Sequence, residues 1–149
     1  VLGDPFDDVE SGAPTGAASF VAQLRVTVSR LRESARESSV ISERGPVDFL
    51  ACLTALEMLG RGDGALLSRA QELVETSMAH IDLIAVVPLD LRHPIDIPDD
   101  EDPALREAME SALMDALDDL ERAGGAPPIV TLTGNPQERL AQLERAAGL

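Results

Sequence analysis

Residues 47–59, VDFLACLTALEML, are apolar around nearly the whole circumference that a helix would present. Gly45-Pro46 opens the run and Gly60 and Gly62 close it, the punctuation of a helix with proline in its first turn. A helix without a polar face must be covered on several sides. The chain therefore reads as one domain with a real core. With 149 residues the chain is long enough: a domain of this size buries roughly 70% of the surface its unfolded form exposes. Phe6, Phe20 and Phe49 are the only aromatic residues, so that core is aliphatic.

The covering elements are readable from period and punctuation. Residues 1–16, rich in Gly, Pro and Asp, read as a loop or arm, and residues 17–149 as the domain body. Phe20, Leu24, Val28, Leu31 and Ala35 fall on one face of a helix from Ala17 to about Ser38. SSVIS (38–42) is compatible with a short buried strand. A helix over about 64–79 turns Leu66, Leu67, Ala70, Leu73, Val74 and Met78 inward. HIDLIAVVPL (80–89) is a nearly unbroken aliphatic run, as in a strand covered on both faces. Asp102-Pro103 caps a helix to about Ala123, with Leu105, Met109, Ala112, Leu113, Ala116, Leu117 and Leu120 buried. A last strand covers 129–133, and Asn135, Pro136 and Glu138 start a final helix anchored by Leu140 and Leu143. Helices alternating with strands predict an α/β three-layer sandwich with a small parallel sheet. Ligands of such sheets bind beyond the carboxyl ends of the strands. Here those ends are Glu43-Arg44, Pro88 to Arg92, and Thr133 to Asn135.

Charge and residue types narrow the chemistry. Acids outnumber bases by 27 to 12, giving a net charge of −15, a field that repels nucleic acid and anionic lipid. All the bases are arginines, which excludes a Schiff-base lysine and a phosphate-loop lysine within these residues. Cys52, flanked by Leu50, Ala51 and Leu53, reads as a buried small hydrophobe. No apolar run approaches a membrane span and the start has no signal-like segment, so cytoplasm is the default expectation. Val1 in place of an initiator methionine points to a processed or excerpted product. Asp4, Asp7, Asp8 and Glu10 lack the spacing of a calcium loop. His80 and His93 lack partners at metal-ligand spacing and read as structural. No G-x-S-x-G elbow supports a serine triad.

Several segments in order carry a likeness: GDPFDD…SFVAQL, VISERGPVDFLACL, HIDLIAVVPLD, DEDPALREAMESAL and IVTLTGNPQERLAQL. Together, over about Gly3 to Ala146, they resemble the P-loop kinase-like ATP-binding proteins of bacteria, an AAA-type group related to nicotinamide riboside kinases. The resemblance implies transfer of the γ-phosphoryl of ATP to a small hydroxyl acceptor, or ATP hydrolysis, with Mg²⁺ accompanying ATP. Glu43 would orient the hydroxyl or hold a water of Mg²⁺, and Arg44 would contact phosphate or acceptor. Arg92 is placed like a lid arginine, and Arg106 follows in the next helix; exposed arginines balancing nearby acids are the alternative. Gly134 and Asn135 would pass close to adenine, although Asn135 also serves simply as a helix cap. By spacing alone, Asp48 either holds the Arg44 guanidinium or is a favourable acid near a helix N-terminus.

One departure is large. The family's opening strand, its GxxxxGK(S/T) loop and its following helix, about the first 40 residues, do not occur in these 149 residues. In the family that strand lies between the VIS-type and the DLIAVV-type strands. The expectation is a chain that is catalytically silent alone. The second expectation is a non-catalytic interaction module that self-associates through exposed strand edges.

Overall fold

A computed structural model describes Leu2, Pro5 and residues 16–34, 40–89 and 102–149. It is mixed α/β and mostly helical. The order is α1 (Ala17–Ser34), α2 (Pro46–Met58), α3 (Gly64–Ser77), a 3₁₀ turn (Met78–His80), β1 (Ile84–Val86), α4 (Pro103–Ala123), β2 (Ile129–Thr131) and α5 (Pro136–Ala147).

Helix α2 is the axis. Phe49 and Ala55 are fully buried, and Val47, Ala51, Cys52, Leu53 and Leu56 nearly so. Helices α1, α3 and α4 all pack on it, so the missing polar face is explained by cover on several sides. Its end is fixed by a Schellman motif: Gly60, at φ +68°, donates to Glu57 O and Arg61 N–H donates to Leu56 O. Gly60 takes that left-handed conformation without the Cβ clash another residue would meet. Side chains also start the neighbours: Asp63 accepts from Ala65 and Leu66 N–H at α3, and Asp102 from Ala104 and Leu105 N–H at α4.

Helices α2 and α4 run antiparallel. Cys52 Sγ lies 3.9 Å from Met109 Sδ at mid-length, while Arg61, just past the end of α2, pairs with Asp102 at the start of α4 at 2.5 Å. Both partners of that pair are substantially exposed, so it marks the packing direction and adds little stability.

The strands are shorter than expected. β1 pairs with β2 in parallel, Ile84 opposite Ile129, but residues 78–80 form the 3₁₀ turn and the ladder stops at Val86. A ladder is limited by its partner, and β2 has only three residues. Segment 38–42 is not a ladder strand in its described part; Ser42 makes one isolated parallel bridge to Leu2. Leu2 and the fully buried Pro5 are thus held against the body, although they belong to the expected arm. The described residues show five helices and a two-stranded parallel sheet, coarser than the three-layer sandwich that alternation predicts.

The expected stripes hold on α3 and α4, where Ala70, Val74, Leu105, Ala112 and Leu117 are buried. On α5, Leu140 is 56% exposed and does not anchor the helix. Instead the Gln142 carboxamide accepts from Thr133 N–H and donates to Thr133 O, tying α5 to the end of β2. On α1, Gln23 and Thr27 are buried beside the apolar stripe, and among the described residues Gln23 Oε1 and Thr27 Oγ1 have no hydrogen-bond partner. An unpaired buried hydroxyl costs roughly 1–3 kcal/mol. Thr27→Val, of the same shape, should therefore raise stability by about 1 kcal/mol in urea denaturation; a loss would show that the hydroxyl has a partner in solution.

Candidate functional site

The stretch Ser42-Glu43-Arg44-Gly45 joins the bridged segment to α2, and both of its ends are fixed. At one end Leu2 N–H donates to Ile41 O at 2.8 Å and Glu43 N–H to Leu2 O at 3.1 Å. At the other, Gly45 N–H donates to Asp48 Oδ2 at 2.8 Å and Asp48 N–H to Gly45 O at 3.1 Å. Pro46 follows at the first helical position, where its missing N–H costs nothing. Between the anchors Arg44 sits at φ +57°, the only non-glycine residue with positive φ among those described. For an L-residue this conformation costs roughly 1–2 kcal/mol. Such strain persists only where the surroundings enforce it, and it clusters at functional sites.

The turn directs the Arg44 guanidinium over the ring of Phe49, 5.8 Å from its centroid, within cation–π range. Phe49 itself is fully buried, so the guanidinium rests on a rigid floor at the edge of the core. Glu43, the neighbouring residue, is exposed. Of the two readings for Asp48, the structure shows its carboxylate spent on the Gly45 N–H; Arg44 acts on it as a nearby charge. Burial pushes the Asp48 carboxyl above its ordinary value, against the opposing pull of the Gly45 hydrogen bond and of Arg44. One turn on, burial pushes the Cys52 thiol up to about 12, and a protonated buried thiol is no nucleophile.

The other expected residues do not gather at this turn. Arg92 lies outside the described residues, as does His93. Arg106 is on the first turn of α4, and the antiparallel α2/α4 packing places it roughly 15 Å along the helix axis from the Arg44 end. Gly134 and Asn135 lie at the carboxyl end of β2, where the parallel register also brings the end of β1. There Asn135 Oδ1 accepts from Glu138 N–H and Glu138 Oε2 from Asn135 N–H, a reciprocal capping box. Gly134 has φ +91°, and a Cβ on it would run into the Glu138 carboxylate. Both residues are thus accounted for by the turn they form. Phe49 under Arg44 was missed by sequence reasoning; its spacing of five from the arginine across a turn has no helical period to reveal it.

Among the described residues no three His, Cys, Asp or Glu side chains gather to hold a metal ion. One exposed carboxylate at Glu43 fits Mg²⁺ only if phosphates and waters supply the remaining ligands. A groove of about 490 Å³ between α1 and α3, lined by Arg25, Arg69, Glu72, Leu73 and Thr76, contains none of the expected site residues. Among the described residues no helix is long and apolar enough to cross a membrane. Comparison with protein-family models, curated proteins and solved structures finds no match to this chain.

Two measurements test the electrostatics. Because folding raises the Asp48 pKa, the ionised form is the less stable one in the fold, and stability is lost as pH rises through the folded value. Asp48→Asn keeps an acceptor for Gly45 N–H, so at pH 7 it should melt at or above the wild-type temperature, the two curves converging below the ordinary carboxylate range. A deficit at pH 7 that closes in acid would mean that ionised Asp48 carries stability. Separately, Cys52 should resist iodoacetamide in the native protein and react on unfolding; rapid native alkylation would contradict its burial and raised pKa.

Proposed function

We propose that this chain belongs to an ATP-binding, P-loop-kinase-like phosphoryl-transfer protein, and that residues 1–149 alone are catalytically silent. The observation that carries the reading is the Arg44 turn. A strained arginine, floored by Phe49 and followed by the Gly45 N–H that Asp48 holds, comes directly after a segment bridged in parallel to Leu2; were that segment a strand of an α/β sheet, the turn would lie where such sheets bind ligands. Phosphoryl transfer asks for positioning and charge neutralisation more than covalent chemistry. The guanidinium would sit against a phosphate or an anionic acceptor, and the exposed Glu43 carboxylate beside it would orient an acceptor hydroxyl.

Mg²⁺ arriving with ATP would supply charge neutralisation on the phosphates, with Glu43 reaching it through water. Arg92 would act as the lid arginine. For Arg106 to join it, the α4 end would have to approach Arg44. Gly134-Asn135 would pass near adenine through backbone, since their side-chain groups are committed to the turn. The phosphate cradle and its lysine would come from outside these residues. The runner-up reading, a non-catalytic interaction module, is favoured by strand edges that are unpaired among the described residues.

Sodium tripolyphosphate should shift the amide signals of Glu43, Arg44 and Gly45 in ¹⁵N NMR. Arg44→Gln should weaken that response at least about tenfold, the scale of one charge-assisted hydrogen bond, while melting stays cooperative and stability falls by no more than the lost Phe49 contact, about 0.5–1 kcal/mol. Shifts elsewhere, or an unaltered titration in the variant, would remove Arg44 from the site. Release of phosphate from MgATP by residues 1–149 above the uncatalysed rate would contradict their predicted silence.

A further inference from the structure

The groove between α1 and α3, about 490 Å³, is of the size that holds small organic ligands. Arg69, Glu72, Leu73 and Thr76 recur at helical spacing, so they form one face of α3. Arg25 reaches the groove from α1. Behind these residues Leu24 and Val28 on α1 and Ala70 and Val74 on α3 share the common core, so packing fixes both walls.

The charges in this groove are unspent. With 27 acids for 12 arginines the chain has carboxylates in plenty. Yet among the described residues neither Arg25 nor Arg69 makes an ion pair or a hydrogen bond, although Glu72 lines the same groove. The α1 wall is basic as well, carrying Arg25, Arg30 and Arg32 against Glu33 alone. Two guanidinium groups at one groove repel each other, and a carboxylate on each removes that cost. The Thr76 hydroxyl donates to the carbonyls of Glu72 and Leu73, each at 3.0 Å. Polar recognition is therefore left to the three charged side chains, and half-buried Leu73 adds an apolar patch.

We propose that this groove binds a small dicarboxylate that also bears an ammonium group, the chemistry of a free acidic amino acid. Arg25 and Arg69 each take one carboxylate through the guanidinium fork. Glu72 takes the ammonium, and the ligand's methylene groups lie on Leu73. Two arginines and one glutamate leave the groove one positive charge, which two carboxylates and one ammonium neutralise. A phosphate would bring no partner for Glu72 and would meet its repulsion, added to that of a chain of net charge −15.

Titration of ¹⁵N-labelled protein with L-glutamate tests this. The amides of Arg25, Arg69, Glu72 and Leu73 should shift saturably, while those of Glu43, Arg44 and Gly45 stay in place. Arg25→Gln and Arg69→Gln should each weaken binding at least about tenfold. Glutarate, the same dicarboxylate without the ammonium, should bind at least about fivefold more weakly, and Glu72→Gln should abolish that difference. All three positions are exposed, so the variants should melt as wild type; should one not, the glutarate comparison on the unaltered protein still decides. Absence of a saturable shift at these amides, or unaltered affinity in a folded arginine variant, would overturn the proposal. So would glutarate or inorganic phosphate binding as tightly as glutamate.

Discussion

Burial of α2 on several sides is the constraint from which the rest of the structure follows. Its apolar circumference forces α1, α3 and α4 into contact with it, and the short strands lie against the core so formed. Full burial of one large apolar side chain stabilises by roughly 1.5–3 kcal/mol, and α2 buries several. No other described element carries as much. Because the helix cannot rotate without exposing part of that surface, the direction in which its N-terminus points is also fixed. The Ser42 to Gly45 turn inherits that direction.

The turn is where packing becomes chemistry. Asp48 and Phe49 belong to α2, and they hold the residue that precedes it: Asp48 through the Gly45 N–H, Phe49 as the floor beneath the guanidinium. Helix propensity alone would never choose a left-handed arginine. The conformation costs stability, and the hydrogen bonds on both sides of the turn keep it in place. Asp48 adds a second cost, since its burial works against its own ionisation. Local costs concentrated at Arg44 and Asp48, beside the exposed Glu43, are the physical basis for reading this turn as functional.

Much of the helical framework was legible because its signals are local. Proline in the first turn of α2, α4 and α5, the caps Asp102 and Asn135, and Gly60 after α2 mark boundaries within a few residues of where they act. The strands were less legible. Whether HIDLIAVVPL forms ten ladder residues or three depends on the length of β2, which lies far off in sequence. Leu140 looked like an anchor by period, yet the Gln142 clasp on Thr133 sets how α5 sits. For the site, alternation put Glu43-Arg44 at the end of a strand, where the structure has only the isolated bridge of Ser42 to Leu2. The positive φ and the Phe49 floor arise from a turn geometry that spacing does not encode. Arg106 shows the converse: adjacency to a loop suggested a shared site, and antiparallel helix packing sets it apart from Arg44.

The central claim is that the left-handed backbone at Arg44 is retained for its side chain at a cost to stability. Arg44→Gly tests it most directly, by urea denaturation. Glycine adopts this conformation freely, so relief of the strain should offset the loss of the Arg44 side chain and leave the variant at least as stable as wild type. A variant clearly less stable than wild type would mean that Arg44 is there to hold the fold, and the functional reading of the turn would fail.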